Sequence, residues 1–242
     1  MTSFFYAEAI PTIAAKLCRY FRCILKLYLP ILFSINHQLF YMKNNMTTLP
    51  GYRMNQYMLV IQPHEELRNK IAHVKKEFAQ KFEVPSAEWG KPHITLVRFS
   101  QLQMMEERIF NRLRMIAMAM PAFKVELKDF GSYPSHTVFI NVESKTSIQM
   151  LIKHLKTAQP ILKTKEVKPH FIENFFITIA RQLLPVQYEK SWLEYSHKHF
   201  TARFIAKDML LLCRPEGEKA YRIIQRFEYL NMPVVTTQGV LF

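Results

Sequence analysis

One six-residue string occurs almost twice in this chain. The copies are His93-Ile94-Thr95-Leu96-Val97-Arg98 and Phe176-Ile177-Thr178-Ile179-Ala180-Arg181. They share an Ile, a Thr, a following aliphatic residue and an Arg, and differ in the first position. An imidazole titrates near neutrality and can carry a proton, and a hydroxyl can donate a hydrogen bond. A chain that repeats this polar pattern inside an apolar run is building a two-sided site. Replacing one histidine with a phenyl ring removes half of its proton-transfer capacity.

The elements that must hold these side chains are strands. β-Branched residues dominate both copies, which suits a pleated strand, and Pro92 sits comfortably at a strand start. Simple alternation places His93, Thr95 and Val97 on one face, with Ile94, Leu96 and Arg98 on the other. The second copy has the same parity, so Phe176, Thr178 and Ala180 share a face. On that parity Arg98 and Arg181 point away from the threonines and are as well suited to structural ion pairs as to ligand contact. After each copy come a polar turn, a helix-like stretch and an extended stretch.

With these flanks the chain resembles the 2H phosphoesterase superfamily, which includes the bacterial 2′-5′ RNA ligase-like proteins (RNA 2′,3′-cyclic phosphodiesterases). That family carries two His-x-Thr/Ser-x motifs on paired strands. The resemblance runs from about Met54 to the C-terminus. Gly90-Lys91-Pro92-His93-Ile94-Thr95-Leu96 matches the first motif, and Asn174-Phe175-Phe176-Ile177-Thr178-Ile179-Ala180-Arg181 aligns with the second. The family usually has Pro-His where this chain has Phe175-Phe176. The resemblance implies an α+β fold, duplicated and two-lobed, with antiparallel sheets flanked by helices around a central cleft.

It also implies a chemistry, the hydrolysis of cyclic phosphodiesters such as the 2′,3′-cyclic phosphate of RNA or nucleotides. Two imidazoles on opposite sides of the phosphorus share the proton transfers, and the two threonines hold the non-bridging oxygens. No metal or other cofactor is required. His93, Thr95 and Thr178 fill their catalytic places here, and Phe176 is the degenerate one. Losing an acid or base costs about 10² to 10⁴ in rate. His170 is the possible substitute, although an extended chain would put it about 20 Å from Phe176. His136 is a lesser candidate. The expected activity is therefore an impaired cyclic phosphodiesterase. The alternative is a catalytically degenerate protein that binds RNA or a nucleotide phosphate.

The remaining pattern agrees with a duplicated α+β unit. Apolar stripes predict helices over residues 65–82, 104–120, 147–158, 186–200 and 218–230. Besides the two copies, strands are predicted over 57–62, 123–130, 137–142 and 204–213. Only five glycines are present and none forms a phosphate-cradling loop. The three cysteines (Cys18, Cys23 and Cys213) show no metal spacing and suit a reducing cytoplasm, and His197 and His199 lack partners for a metal.

The net charge is +14. Residues 1–53 carry six cations against Glu8 alone, a net +5, which leaves +9 for the body. Such a balance favours an anionic partner, here RNA or a nucleotide bearing a cyclic phosphate. Residues 54–242 are expected to form the domain, a cytoplasmic monomer with no stable membrane association. Residues 1–53 read as an extension outside the fold, with translation starting at Met46 or Met54. The other reading is a targeting or membrane-surface segment, since the run over residues 23–33 is too short to span a bilayer.

Overall fold

The computed structural model describes residues 51–134 and 136–232. The expectations for the N-terminal extension fall almost wholly outside these residues. The body lies within one compact unit, Met54–Phe242. Its strands are β1 (Met54–Ile61), β2 (Ile94–Leu102), β3 (Phe123–Tyr133), β4 (Thr137–Val142), β5 (His170–Phe171), β6 (Phe176–Arg181), β7 (Thr201–Ala206), β8 (Asp208–Pro215) and β9 (Arg222–Glu228). The helices are α1 (Glu65–Lys81), α2 (Glu106–Ala119), α3 (Lys145–Lys156), α4 (Gln159–Leu162) and α5 (Pro185–Tyr195).

All nine strands of the described residues join one open antiparallel sheet in the order β7-β3-β4-β6-β2-β1-β8-β9, with β5 pairing the free stretch of β2. The α+β class and the antiparallel pairing are as expected. The sheets of the two lobes are continuous as one sheet, whose halves meet where β6 adjoins β2. Each half holds one copy of the repeated string on its innermost strand. The duplication extends to the helices: α1 lies between β1 and β2 as α3 lies between β4 and β6, and α2 and α5 follow the two motif strands.

Burial alternates along the strands because one sheet face packs against the helices. Tyr57, Leu59 and Ile61 of β1, Ile94 and Leu96 of β2, and Ile177 and Ile179 of β6 meet Leu67, Ile71 and Phe78 of α1 in the main core. Ile109 and Leu113 of α2, and Ile148, Leu151 and Leu155 of α3, extend it. These are the helix-spaced positions read from the sequence. The other sheet face carries the motif threonines, together with a small cluster of Met58, Val60, Leu210 and Leu212.

Three predicted elements are corrected. Residues 218–230 do not form a helix: Arg222–Glu228 is a strand that pairs with β8. Ile223, Ile224 and Phe227 suit a strand, and the turn at Gly217, with φ of +87°, folds them back onto β8. The long run over 204–213 is not one strand, because it changes partner at Lys207. β7 pairs with β3, whereas β8 pairs with β1. The helix over 186–200 also stops early, at Tyr195.

Candidate functional site at the strand seam

The two motif strands are direct neighbours, registered through Ile94↔Ile177. Continuing that antiparallel register places Thr95 across from Phe176 and His93 across from Thr178. All four side chains therefore share the sheet face turned away from the helices, and all four are partly exposed. The structure thus brings His93, Thr95, Phe176 and Thr178 into one patch.

The arginines require a correction. Leu59 pairs with Val97 and Val60 with Thr95, so Leu96 is an extra residue, a β-bulge. The second copy repeats the device, since Val138 pairs with Ala180 and Phe139 with Thr178, leaving Ile179 over. Each bulge reverses the alternation beyond it. Leu96 and Val97 are both buried in the core, as are Ile179 and Ala180. Arg98 and Arg181 consequently emerge on the threonine face, exposed. Neither guanidinium has an ion-pair partner among the described residues.

His93 stands one residue before β2. Its Nδ1 lies 2.7 Å from the carbonyl oxygen of Lys91. A protonated Nδ1 satisfies that contact and leaves Nε2 with a free lone pair. Burial lowers the imidazole pKa below its ordinary 6.5, and the cations Arg98, Lys75 and Arg181 add to the shift despite the Lys91 carbonyl. At neutral pH His93 is therefore a neutral base. Thr95 Oγ1 makes only a long contact to Met58 Sδ, at 3.8 Å, so its hydroxyl is available to a ligand.

Lys75 was not singled out from sequence. It is buried on the core side of α1, and its Nζ donates to the carbonyl oxygens of Trp89 and Gly90, both at 2.8 Å. These bonds hold the turn that delivers His93, where Gly90 takes a φ of +78°. Burial and nearby Arg181 push the amine down to about 8. The signal was present: a lysine four residues after Ile71 and three before Phe78 interrupts an apolar stripe.

Phe176 does not stand alone. Its ring centroid lies 4.5 Å from that of Phe139 and 5.6 Å from that of Tyr133, the latter edge-on. Gly131, paired with Phe139, makes room for this wall. A Cβ there would come within 2.6 Å of the Phe139 ring and 2.7 Å of Asn141 Oδ1. His136 stacks on Tyr133 at 6.3 Å, with Nδ1 2.9 Å from the Pro134 carbonyl oxygen, and so sits behind the wall. His170 does not double back to Phe176. It pairs with Arg98 across β2 and β5, and the turn over residues 173–175 shortens the path to Phe176 to about 10 Å along β2. Among the described residues no cluster of three or more His, Cys, Asp or Glu side chains is placed to hold a metal ion, and no helix is long and apolar enough to cross a membrane.

This fold has solved counterparts. The crystal structure of E. coli LigT complexed with 3′-AMP superposes with a TM-score of 0.52 at 17% identity, over 72% of this chain and 98% of LigT. TT0787 of Thermus thermophilus gives a TM-score of 0.52 at 14% identity, over 72% of this chain and 98% of TT0787. No curated protein sequence matches. The sequence pattern of the 2′-5′ RNA ligase superfamily matches residues 63–218, more than half of the sequence, and the chain belongs to that family.

Proposed function

We propose that this protein seats the phosphate end of RNA or of a nucleotide on the β2–β6 seam, and opens a 2′,3′-cyclic phosphate there more slowly than a two-histidine site would. The observation that carries this reading is the convergence of His93, Thr95, Thr178 and Arg181 on one sheet face, with Phe176 in the place of the second histidine. Nε2 of His93 takes a proton from water as its oxygen bonds to phosphorus. The bond from phosphorus to one ribose oxygen breaks, and that oxygen takes its proton from solvent, because a phenyl ring has none to give. The Thr95 and Thr178 hydroxyls donate to the non-bridging oxygens, and Arg181 offsets the growing charge. A missing acid lowers the rate by about 10² to 10⁴. The complexes of E. coli LigT with 3′-AMP and with NADP+ support a nucleotide ligand. A reduced, buried Cys213 agrees with a cytoplasmic setting, and we take the acting species to be a monomer that uses no metal.

The aromatic wall favours a second reading, binding with negligible turnover. Phe176 and Tyr133, partly exposed and backed by the buried ring of Phe139, offer a surface on which a base can stack. Assay of the full chain against 2′,3′-cyclic nucleotides and a cyclic-phosphate-ended RNA separates the two. Slow turnover that is lost in His93→Ala and rises about 100-fold or more in Phe176→His supports the enzyme. Ligand binding without turnover in the wild type, with turnover appearing in Phe176→His, selects the binding protein. Turnover that His93→Ala leaves intact would overturn the assignment of the site.

A further inference from the structure

β5 is only two residues long, yet it adds a polar group to the site face. Val97 pairs with Phe171, and Arg98 with His170. Paired residues of an antiparallel ladder project to the same side. Phe171 packs with Val97 against the main core, so His170 and Arg98 point the other way, onto the threonine face. Both are exposed, and neither has an ion-pair partner among the described residues. They lie one pleat beyond Thr95, about 7 Å along the strand plus the bulged residue. Among the described residues the second half has no counterpart to this pair, because no short strand is added to β6 in this way.

The chain entering β5 is basic and anchored. Lys163, Lys165 and Lys168 are exposed, against Glu166 alone. Buried Gln101 of β2 donates from Nε2 to the carbonyl oxygens of Ile161 and Lys163, at 2.9 and 3.1 Å. The turn is closed by Thr164 N donating to Val167 O and Val167 N donating to Thr164 Oγ1, both at 2.9 Å. Three exposed lysines thus precede His170 in a segment tied to β2 through Gln101. The nearest carboxylate in sequence, Glu173, is exposed in the link from β5 to β6 and forms no ion pair among the described residues.

We propose that Arg98 and His170 form a second phosphate subsite, which takes the internucleotide phosphate one residue upstream of the terminal phosphate held at the seam. The proposal rests on the reading of the seam as a phosphate site. It makes the preferred ligand an oligonucleotide end rather than a free mononucleotide. A bidentate guanidinium suits a phosphodiester, and the exposed lysines that precede β5 add positive charge on the approach to it.

The test compares a 3′-phosphorylated dinucleotide with the matching 3′-mononucleotide, titrated into the full chain at several salt concentrations. The dinucleotide should bind about tenfold more tightly. Its salt slope should be steeper by about 0.7, the value for one extra phosphate contact on a single strand. In Arg98→Gln and in His170→Gln the ratio of the two affinities should fall towards one, and the extra slope should vanish. Equal binding of the two ligands by the wild type, or a dinucleotide advantage that survives both substitutions, would overturn the second subsite and leave the seam reading intact. If neither ligand binds, both the seam reading and the second subsite fall.

Discussion

The charge state of one side chain, His93, sets how the site responds to pH. Its imidazole is held below 6.5 by burial and by three cations, with its Nδ1 committed to Lys91. A base works in its deprotonated form, so turnover should rise as pH climbs through a value below 6.5 and then stay level. No alkaline fall belongs to this site: Phe176 has no proton to lose, and Lys75, whose amine is pushed down to about 8, keeps two N–H donors for the Trp89 and Gly90 carbonyls when neutral. Phe176→His should restore a descending limb and convert a one-sided profile into a bell. The measurement is kcat/KM for a cyclic nucleotide between pH 5 and about 9. A wild-type profile that already falls on the alkaline side would mean that another group supplies the acid. The same shift enters stability with a definite sign. Neutral His93 is favoured by the fold, so its contribution is complete above 6.5 and is lost as pH falls below that value.

At the scale of elements, the two bulges decide what the site contains. The helices α1, α2 and α3 were legible because each buries a regular stripe. The motif strands were legible because β-branched residues flank a repeated Thr. The bulges at Leu96 and Ile179 were not, since Thr-Leu-Val-Arg and Thr-Ile-Ala-Arg read as ordinary alternation. One extra residue in each moved both arginines from the expected face to the other. β9 was misread for a related reason: its pairing with β8 is a long-range event that overrides a short apolar stripe. The opposing β3–β4 hairpin depends on Gly131, where any Cβ collides with Phe139 and Asn141. Gly131→Ala should cost about 1 to 3 kcal/mol by overpacking and should displace the aromatic wall. Chemical denaturation reads the first effect, and loss of base-dependent ligand affinity reads the second. A variant as stable as the wild type would show that the hairpin yields, and that Gly131 does not set the wall.

Across the whole body, two duplicated halves share a single strand seam, and the helices close the join from behind. The ring of Phe78 on α1 meets that of Tyr195 on α5 at 5.2 Å, and Tyr195 meets Phe130 of β3 at 4.8 Å. Lys81 pairs with Glu194 at 2.6 Å. Gln187 Nε2 donates to the carbonyl oxygens of Phe82 and Glu83 at the end of α1, at 3.4 and 3.1 Å. The aromatic contacts outweigh the others, because Phe78 and Tyr195 are almost fully buried whereas the ion pair is solvated. A join of this kind couples the halves, so thermal unfolding should be one transition although the architecture is repeated. Phe78→Ala, which empties the centre of the join, should cost about 3 to 5 kcal/mol. If the halves were independent, that loss would lower only one of two calorimetric transitions. A single transition, shifted as a whole in Phe78→Ala, is the expected result. It would mean that the seam carrying His93 and Thr178 is kept in register by packing on the opposite face of the sheet, out of reach of any ligand.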